Sequence, residues 1–108
     1  MFGFFGNGSS VSVQEAYESL GRDDSVLIDV RSAAEVAAQG VKGAVNVPLE
    51  KIQSAVPKLG GYKHVYLICR SGSRSGMAAQ MLRSLGVPQA KNVEGGLIAW
   101  ARAGLPGA

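Results

Sequence analysis

Short apolar runs alternate with helical patterns from Val11 to about Ala103. Apolar runs bounded by turn residues are typical of buried strands, and apolar positions three or four apart are typical of helices. The predicted strands cover residues 11–13, 26–30, 44–47, 65–69 and 91–93. The predicted helices cover residues 15–20, a short stretch ending at 38, then 50–56, 75–85 and 97–103. This alternation predicts an α/β domain with a five-stranded, mainly parallel sheet and helices on both faces.

Capping signals mark two of the predicted helix starts. Ser12 with Glu15, and Ser32 with Glu35, have the spacing of a capping box. In that motif the serine hydroxyl accepts an amide N–H three residues later, and the glutamate side chain accepts the amide N–H of the serine. We therefore expect helices to begin at both serines.

The single cysteine stands between a buried strand and a helix. Cys69 ends the predicted strand 65–69, and the loop after it consists of Arg70, Ser71, Gly72, Ser73, Arg74 and Ser75. In such a strand–loop–helix turn, loop amides and the first helical turn converge on an anion at the centre. We expect that anion to be the Cys69 thiolate, with its pKa lowered by the amides and by the two arginines. A cysteine at a strand end is often only a small core residue, but this polar, basic loop suits an anion site better than a core.

Two further polar residues end another strand at the same edge. Ligands of open parallel sheets bind outside the carboxyl ends of the strands, so Asp29 and Arg31 are candidates to line the site. The alternative is structural: Asp29 accepts backbone amides, and Arg31 pairs with a nearby carboxylate such as Glu35. The sequence leaves both interpretations open.

Composition limits the class of protein. The 108 residues suffice for one domain, and 46% hydrophobic with 18% charged residues is typical of a globular protein. No apolar stretch has the length of a membrane span, and the first residues lack the basic segment of a secretory signal, so we expect a cytoplasmic protein. With one cysteine the chain forms no internal disulfide, and any thiol-exchange partner must come from outside.

The net charge and the N-terminal segment indicate less about function. The net charge of +3 favours small anions, and scattered basic residues without interleaved aromatics argue against nucleic acid as a partner. No His, Cys or carboxylate cluster has metal-ligand spacing, so no metal is expected. Phe2, Phe4 and Phe5 precede a Gly-, Asn- and Ser-rich stretch, which predicts a flexible arm over residues 1–10 before a domain at 11–108. Whether the arm frays, or contacts the domain, a second copy or a lipid surface, stays open.

Four blocks of the sequence resemble the signatures of single-domain rhodaneses, the thiosulfate sulfurtransferase family. They are Leu27-Ile28-Asp29-Val30-Arg31 with Glu35, Gly43-Ala44-Val45-Asn46-Val47-Pro48-Leu49, Cys69 to Ser75, and Glu94-Gly95-Gly96 with Ala99-Trp100 and Gly104-Leu105-Pro106. Their order and spacing are those of the family, from about Val11 to Pro106. Val36 and the triplet 40–42 depart from the family pattern at positions that are usually structural.

The resemblance implies a rhodanese-like domain that transfers sulfur. Cys69 would take the outer sulfur of a small anionic donor such as thiosulfate, become a persulfide, and pass the sulfur to cyanide or to a thiol, including a thiol on a protein. The amides from Arg70 to Ser75 would stabilise the persulfide, and Arg70 and Arg74 would attract the donor. The family needs neither a metal nor an organic cofactor, and it follows double-displacement kinetics.

Three other functions are weighed beside this one. Cysteine phosphatases and arsenate reductases place an arginine six positions after the cysteine, whereas here Ser75 has that position and Arg74 comes one earlier. A cysteine hydrolase needs a base beside the sulfur, but His64 begins the strand that Cys69 ends, roughly 16 Å away. A non-catalytic rhodanese-like binding module is the third alternative, and the intact cysteine loop argues against it.

Trp100 and the Gly95-Gly96 turn are expected to be structural.

Overall fold

A computed structural model describes residues 9–107. The predicted phenylalanine arm lies outside the described residues, except for Ser9 and Ser10. The strands are β1 (Ser10–Val11), β2 (Ser25–Asp29), β3 (Val45–Asn46), β4 (His64–Ile68) and β5 (Ala90–Val93). They form one sheet in the order β1-β5-β4-β2-β3, with every pair of neighbours parallel. The predicted α/β fold with a five-stranded parallel sheet is confirmed.

Helical segments connect the strands. The α-helices are α1 (Val13–Ser19), α2 (Ala33–Ala38), α3 (Val56–Leu59), α4 (Ser73–Ser84) and α5 (Gly96–Arg102), and a 3₁₀ helix covers Leu49–Ala55. The predicted helix 50–56 is thus mostly 3₁₀. The α-helical turn that follows begins beside Pro57, whose missing N–H is tolerated in the first turn of a helix.

The sheet is packed on both faces, as predicted. Along β4, alternate side chains point to opposite sides, since the side-chain period of a strand is two. Val65 and Leu67 lie in one core cluster with Cys69, beneath α4, α3 and the 3₁₀ helix. Tyr66 and Ile68 lie in a second cluster, beneath α1 and α5. Because β4 is the central strand, the residue that follows it sits in the middle of the carboxyl edge.

Capping determines where several elements begin. The Ser12 hydroxyl accepts the Glu15 amide N–H at 3.1 Å, so α1 starts at Val13. The first strand therefore ends at Val11, two residues before the predicted end at residue 13. Ser32 and Glu35 form the full capping box predicted for α2. The observed start of α4 at Ser73 is two residues before the predicted start at Ser75. Gly72 precedes this helix with a left-handed φ of +102°, which glycine adopts without strain.

α2 is held by polar contacts, since none of its side chains is buried. The carbonyl oxygen of Gln39, just after the helix, accepts an Arg31 N–H at 2.6 Å. Glu35, in its first turn, receives two hydrogen bonds from Arg74 of α4. Over residues 9–107, no helix is long and apolar enough to cross a membrane.

Candidate active site

Cys69 lies directly after β4, and its sulfur is surrounded by hydrogen-bond donors. The amide N–H groups of Gly72 and Ser75 point at Sγ, with nitrogen–sulfur distances of 3.1 and 3.4 Å. The Ser75 hydroxyl oxygen lies 3.2 Å from Sγ. The sulfur therefore occupies the place of the side-chain acceptor that usually caps a helix N-terminus. The cysteine itself is only 1% exposed, beneath a loop whose Arg70, Ser71 and Ser73 are exposed.

Asn92 of β5 supports this loop from the neighbouring strand. Its Nδ2 donates to the carbonyl oxygen of Gly72 at 3.1 Å, which determines the orientation of the side-chain amide. Its Oδ1 accordingly faces the Ser75 hydroxyl, 2.6 Å away. Gly72 also passes close to the turn before α5, because a Cβ at this position would lie 3.3 Å from the Gly95 nitrogen. The loop is therefore fixed in shape by β5 and by the turn before α5.

The environment lowers the pKa of the Cys69 thiol. Burial acts in the opposite direction and raises the pKa, because it disfavours the charged thiolate. Hydrogen bonds from the Ser75 hydroxyl and from the amides of Ser75, Gly72 and Ser71 outweigh burial and lower it. The predicted lowering of the pKa is confirmed, but its main causes are the hydrogen bonds from the amides and the Ser75 hydroxyl and not the charges of Arg70 and Arg74.

The arginines of the loop point to different surroundings. Arg74 makes an ion pair with Glu35, with hydrogen bonds of 2.9 and 3.0 Å, and both side chains are 38% exposed. Arg70 lines a cavity on the other side of the loop, together with Arg102 of α5. Neither guanidinium is among the groups that hydrogen-bond to Sγ.

The pKa of the Glu35 carboxyl is lowered to about 2, mainly by the Arg74 hydrogen bonds and next by the Ser32 amide. A lowered folded-state pKa stabilises the fold above the ordinary carboxyl pKa, and this contribution disappears as pH falls towards about 2. We therefore expect wild type to unfold at higher urea concentration than Glu35→Gln at pH 7. The difference should narrow between about pH 4.5 and about pH 2. Glu94→Gln removes another exposed carboxyl and is the control; a difference that is constant with pH would contradict the prediction.

Asp29 and Arg31 form a buried ion pair that supports the loop after β2. The Arg31 guanidinium donates to Asp29 Oδ2 at 2.8 Å, and the Arg31 amide N–H donates to Oδ1 at 3.0 Å. The two side chains are 1% and 6% exposed. The suggested pairing of Arg31 with Glu35 is wrong, because Glu35 pairs with Arg74. Asp29 is therefore structural, whereas Arg31 also lines the cavity next to Arg70.

The first turn of α5 anchors the backbone that carries the cysteine. The Leu97 amide N–H donates to the Cys69 carbonyl at 2.9 Å, and the Ile98 amide N–H donates to the Arg70 carbonyl at 3.1 Å. Gly96, between the turn and these amides, has a φ of +57° and passes against both carbonyl groups. Trp100 of the same helix is fully buried, and its indole N–H donates to the Pro106 carbonyl at 3.1 Å. Gly95 and Gly96 of the turn and Trp100 of the helix are structural here, as predicted.

A family profile for the rhodanese-like domain matches residues 12–103, which is most of the chain. The chain belongs to the rhodanese-like domain family. Human thiosulfate:glutathione sulfurtransferase is 33% identical to it, over 84% of this chain and 91% of the human protein. The solved structure of the human single-domain sulfurtransferase TSTD1 superposes with a TM-score of 0.75 at 30% identity, covering 86% of this chain and 95% of that one.

A relative of different length is an uncharacterized protein from Synechocystis, 42% identical over 79% of this chain. This chain spans 48% of that protein's length. The rhodanese-like domain is therefore found in relatives of about this size and in longer ones.

Asn92 is the residue of this rhodanese-like domain that the sequence analysis missed. Its only signal was a polar side chain inside the predicted strand 91–93, and such a position is often exposed. The position of β5 next to β4, which brings Asn92 to the loop, was not predicted from the chain order. His64, by contrast, lies at the start of β4 as expected and stacks on Tyr66 with ring centroids 5.9 Å apart.

Proposed function

We propose that this rhodanese-like domain is a sulfurtransferase that carries sulfur as a persulfide on Cys69. The observation that carries the proposal is the ring of donors around Sγ, which lowers the pKa of the thiol and so favours the thiolate, the form that attacks sulfur. Family membership and the sulfurtransferase names of its relatives support the same reaction class.

The first step consumes an anionic donor such as thiosulfate. The Cys69 thiolate attacks the outer sulfur, a bond forms between Sγ and that sulfur, and the sulfur–sulfur bond of the donor breaks. Sulfite leaves with the electron pair. In the second step cyanide or a thiolate attacks the outer sulfur of the persulfide, and Sγ leaves as a thiolate. No electrons are gained or lost overall, so no cofactor is required.

Unused donors favour a persulfide at this place. At the start of α4, in the described part of the chain, the amides of Ser73 and Arg74 donate to no acceptor. They belong to the first turn of the helix, whose unpaired N–H groups favour negative charge. An outer sulfur on Sγ would add an anion beside them. We infer that Ser71 to Ser75 stabilise the persulfide and that Arg70 and Arg74 attract the donor, with Arg74 sharing its charge with Glu35.

The phosphatase alternative is weaker for two reasons. The loop has one residue fewer between the cysteine and its arginine, so the ring is smaller than a bound phosphate with its oxygens requires. Arg74 is also engaged by the carboxylate of Glu35, which would repel a phosphate. A non-catalytic module would have no use for a thiol with a lowered pKa, although the fold alone is compatible with one.

Intact mass spectrometry tests the proposal directly. Treatment with thiosulfate is expected to add the mass of one sulfur atom to the protein, and cyanide is expected to remove it as thiocyanate. Protein whose thiol has been alkylated beforehand is the control and should take up no sulfur. Alkylation of thiols modifies one position, because the chain has a single cysteine. Release of phosphate from an aryl phosphate without sulfur uptake would favour the phosphatase. If the protein neither takes up sulfur nor releases phosphate, the non-catalytic binding module is the remaining interpretation.

A further inference from the structure

An apolar groove of about 460 Å³, the α4 groove, runs along the outer side of α4. Met77 and Met81 of this helix and Leu85 directly after it line the groove, at positions four apart that share one face. Each of the three side chains is between 41% and 51% exposed. Among residues 9–107, the other exposed large apolar side chains are Val45 and Ile98, which lie on different elements. Clustered apolar side chains at the surface, unlike single ones, indicate a binding surface.

The rest of the α4 groove is polar but uncharged. Gln53 of the 3₁₀ helix lines it, together with Gln80 and Ser84 of α4. No charged side chain of residues 9–107 lines it. A charge buried in such a groove would find no partner, and burial of an unpaired charge is costly. The groove therefore suits an apolar segment without charged side chains.

The N-terminal segment of this chain has that chemistry. Residues 1–8 lie outside the described residues and read Met-Phe-Gly-Phe-Phe-Gly-Asn-Gly, with all three phenylalanines of the chain and no charged side chain. Phenylalanine rings bury a large apolar surface, and aromatic rings contact methionine sulfur favourably. The chain thus contains both an uncharged apolar groove and an uncharged apolar segment.

This segment joins the domain at a strand next to α4. The Ser9 carbonyl accepts the Asn92 amide N–H at 2.9 Å, where β1 begins beside β5. β5 packs beneath α4, since Ala90 lies in one core cluster with Ala78 and Leu82. β1 is parallel to β5, so Ser9 marks the end of β1 that faces the amino edge of the sheet. α4 follows β4 at the carboxyl edge and ends towards the same amino edge.

The eight residues before Ser9 are long enough to reach the α4 groove. Neighbouring strands lie about 4.8 Å apart, and a helix with its side chains has a diameter of about 10–12 Å. The path from Ser9 past α4 to its outer side is therefore on the order of 20 Å. An extended chain covers roughly 3.3–3.6 Å per residue, so Phe2 can reach up to about 24 Å from Ser9.

We propose that residues 2–5 bind the α4 groove of their own chain, with phenylalanine rings against Met77, Met81 and Leu85. Binding removes apolar surface of both partners from water. The short tether to β1 keeps the segment at a high effective concentration, so a modest contact is sufficient. This binding does not depend on sulfur transfer.

The bound segment would lie beside the cysteine loop. The α4 groove shares Met81 and Gln53 with a second cavity of about 410 Å³, and Arg74 of the cysteine loop lines that cavity. Val30 also lines it and belongs to the same core cluster as Cys69. The segment would therefore border the cavity on the face of the sheet where the Cys69 side chain lies.

Chymotrypsin, which cleaves after aromatic residues, measures whether the phenylalanines of the full chain are protected. Intact mass spectrometry follows the loss of the first four or five residues. Met81→Gln removes an exposed apolar side chain from the groove and should speed this cleavage about fivefold, because cleavage follows the unbound fraction of the segment. Ile98→Gln removes an exposed apolar side chain from α5, on the opposite face of the sheet, and is the matched control that should leave the rate unchanged.

A reciprocal experiment removes the rings and observes the groove. In protein labelled with ¹³C at the methionine methyl groups, the signals of Met77 and Met81 should move when all three phenylalanines are replaced by serine. The physical reason is that an aromatic ring displaces the signals of protons that it contacts. The amide signal of Ile98 should stay in place in the same variant.

Other occupants would give different results. Binding within one chain is independent of protein concentration, whereas binding between two copies gives methionine signals that change with concentration and a doubled mass in sedimentation. That result overturns the inference. Equal cleavage of wild type and Met81→Gln also overturns it, and protection by phosphatidylcholine vesicles alone would then assign the segment to a lipid surface. Methionine signals that stay in place without the rings overturn it independently of the cleavage rates.

Discussion

Replacing Cys69 with serine is expected to lower kcat/KM for transfer from thiosulfate to cyanide by at least about a thousandfold. A serine hydroxyl is not ionised near neutral pH, and the amides around position 69 stabilise an anion without removing a proton. The one histidine of the chain, His64, lies at the other end of β4 and is too far away to take the proton. Thiocyanate formation measures the rate, and mass spectrometry should detect no sulfur on the variant.

The fold should survive this change, which separates loss of the nucleophile from loss of structure. A serine oxygen accepts the same N–H groups of Gly72 and Ser75 and is smaller than sulfur. We expect the melting temperature of Cys69→Ser to stay within a few degrees of wild type, and Cys69→Ala serves as a second inactive variant. Transfer within tenfold of wild type in either variant would rule out Cys69 as the sulfur carrier.

Replacing Gly96 with alanine is expected to destabilise the protein by about 3 kcal/mol or more and to reduce sulfur transfer. An alanine Cβ there would overlap the Cys69 carbonyl oxygen and lie 2.6 Å from the Arg70 carbonyl oxygen. Both atoms are backbone, so the strain is relieved only by moving α5 or the loop. Either movement breaks the hydrogen bonds from Leu97 and Ile98 that hold the cysteine in place.

Gly104→Ala is the matched control for this change. Gly104 has a similar left-handed φ of +71°, against +57° at Gly96, but nothing lies within 4 Å of the added Cβ. It should show the conformational cost alone, on the order of 1 kcal/mol. Urea unfolding measures the stability of both variants, and the thiocyanate assay measures transfer. Equal destabilisation by the two substitutions would show that the contact with the loop carbonyls is unimportant.

The sequence was sufficient for the fold and for the core of the candidate site. Short apolar runs predicted the five strands, because both faces of the sheet are buried and a strand buried on both faces is apolar without alternation. Cys69, the loop after it and the capping box of α2 depend on neighbours in the chain, and local spacing is enough to find such features.

Contacts between distant segments could not be predicted from the sequence. Glu35 pairs with Arg74, 39 positions away, and the expected pairing with Arg31 failed because Asp29 is already bonded to that arginine. Asn92 reaches the loop only because β5 lies beside β4. The choice among several possible charge partners depends on where side chains of different elements meet, and a pattern along one chain does not contain that information.

Ser75 has one proton for two neighbours, Sγ at 3.2 Å and Asn92 Oδ1 at 2.6 Å. A hydroxyl donates once, so the ionised sulfur and the amide oxygen compete for it. The rotation of the Ser75 O–H bond thus adds or removes one of the donors that stabilise negative charge on the sulfur, beside the amides of Gly72 and Ser75. A catalyst that has to hold charge on this atom, and then give it up, has in that rotation an adjustment that moves no backbone atom.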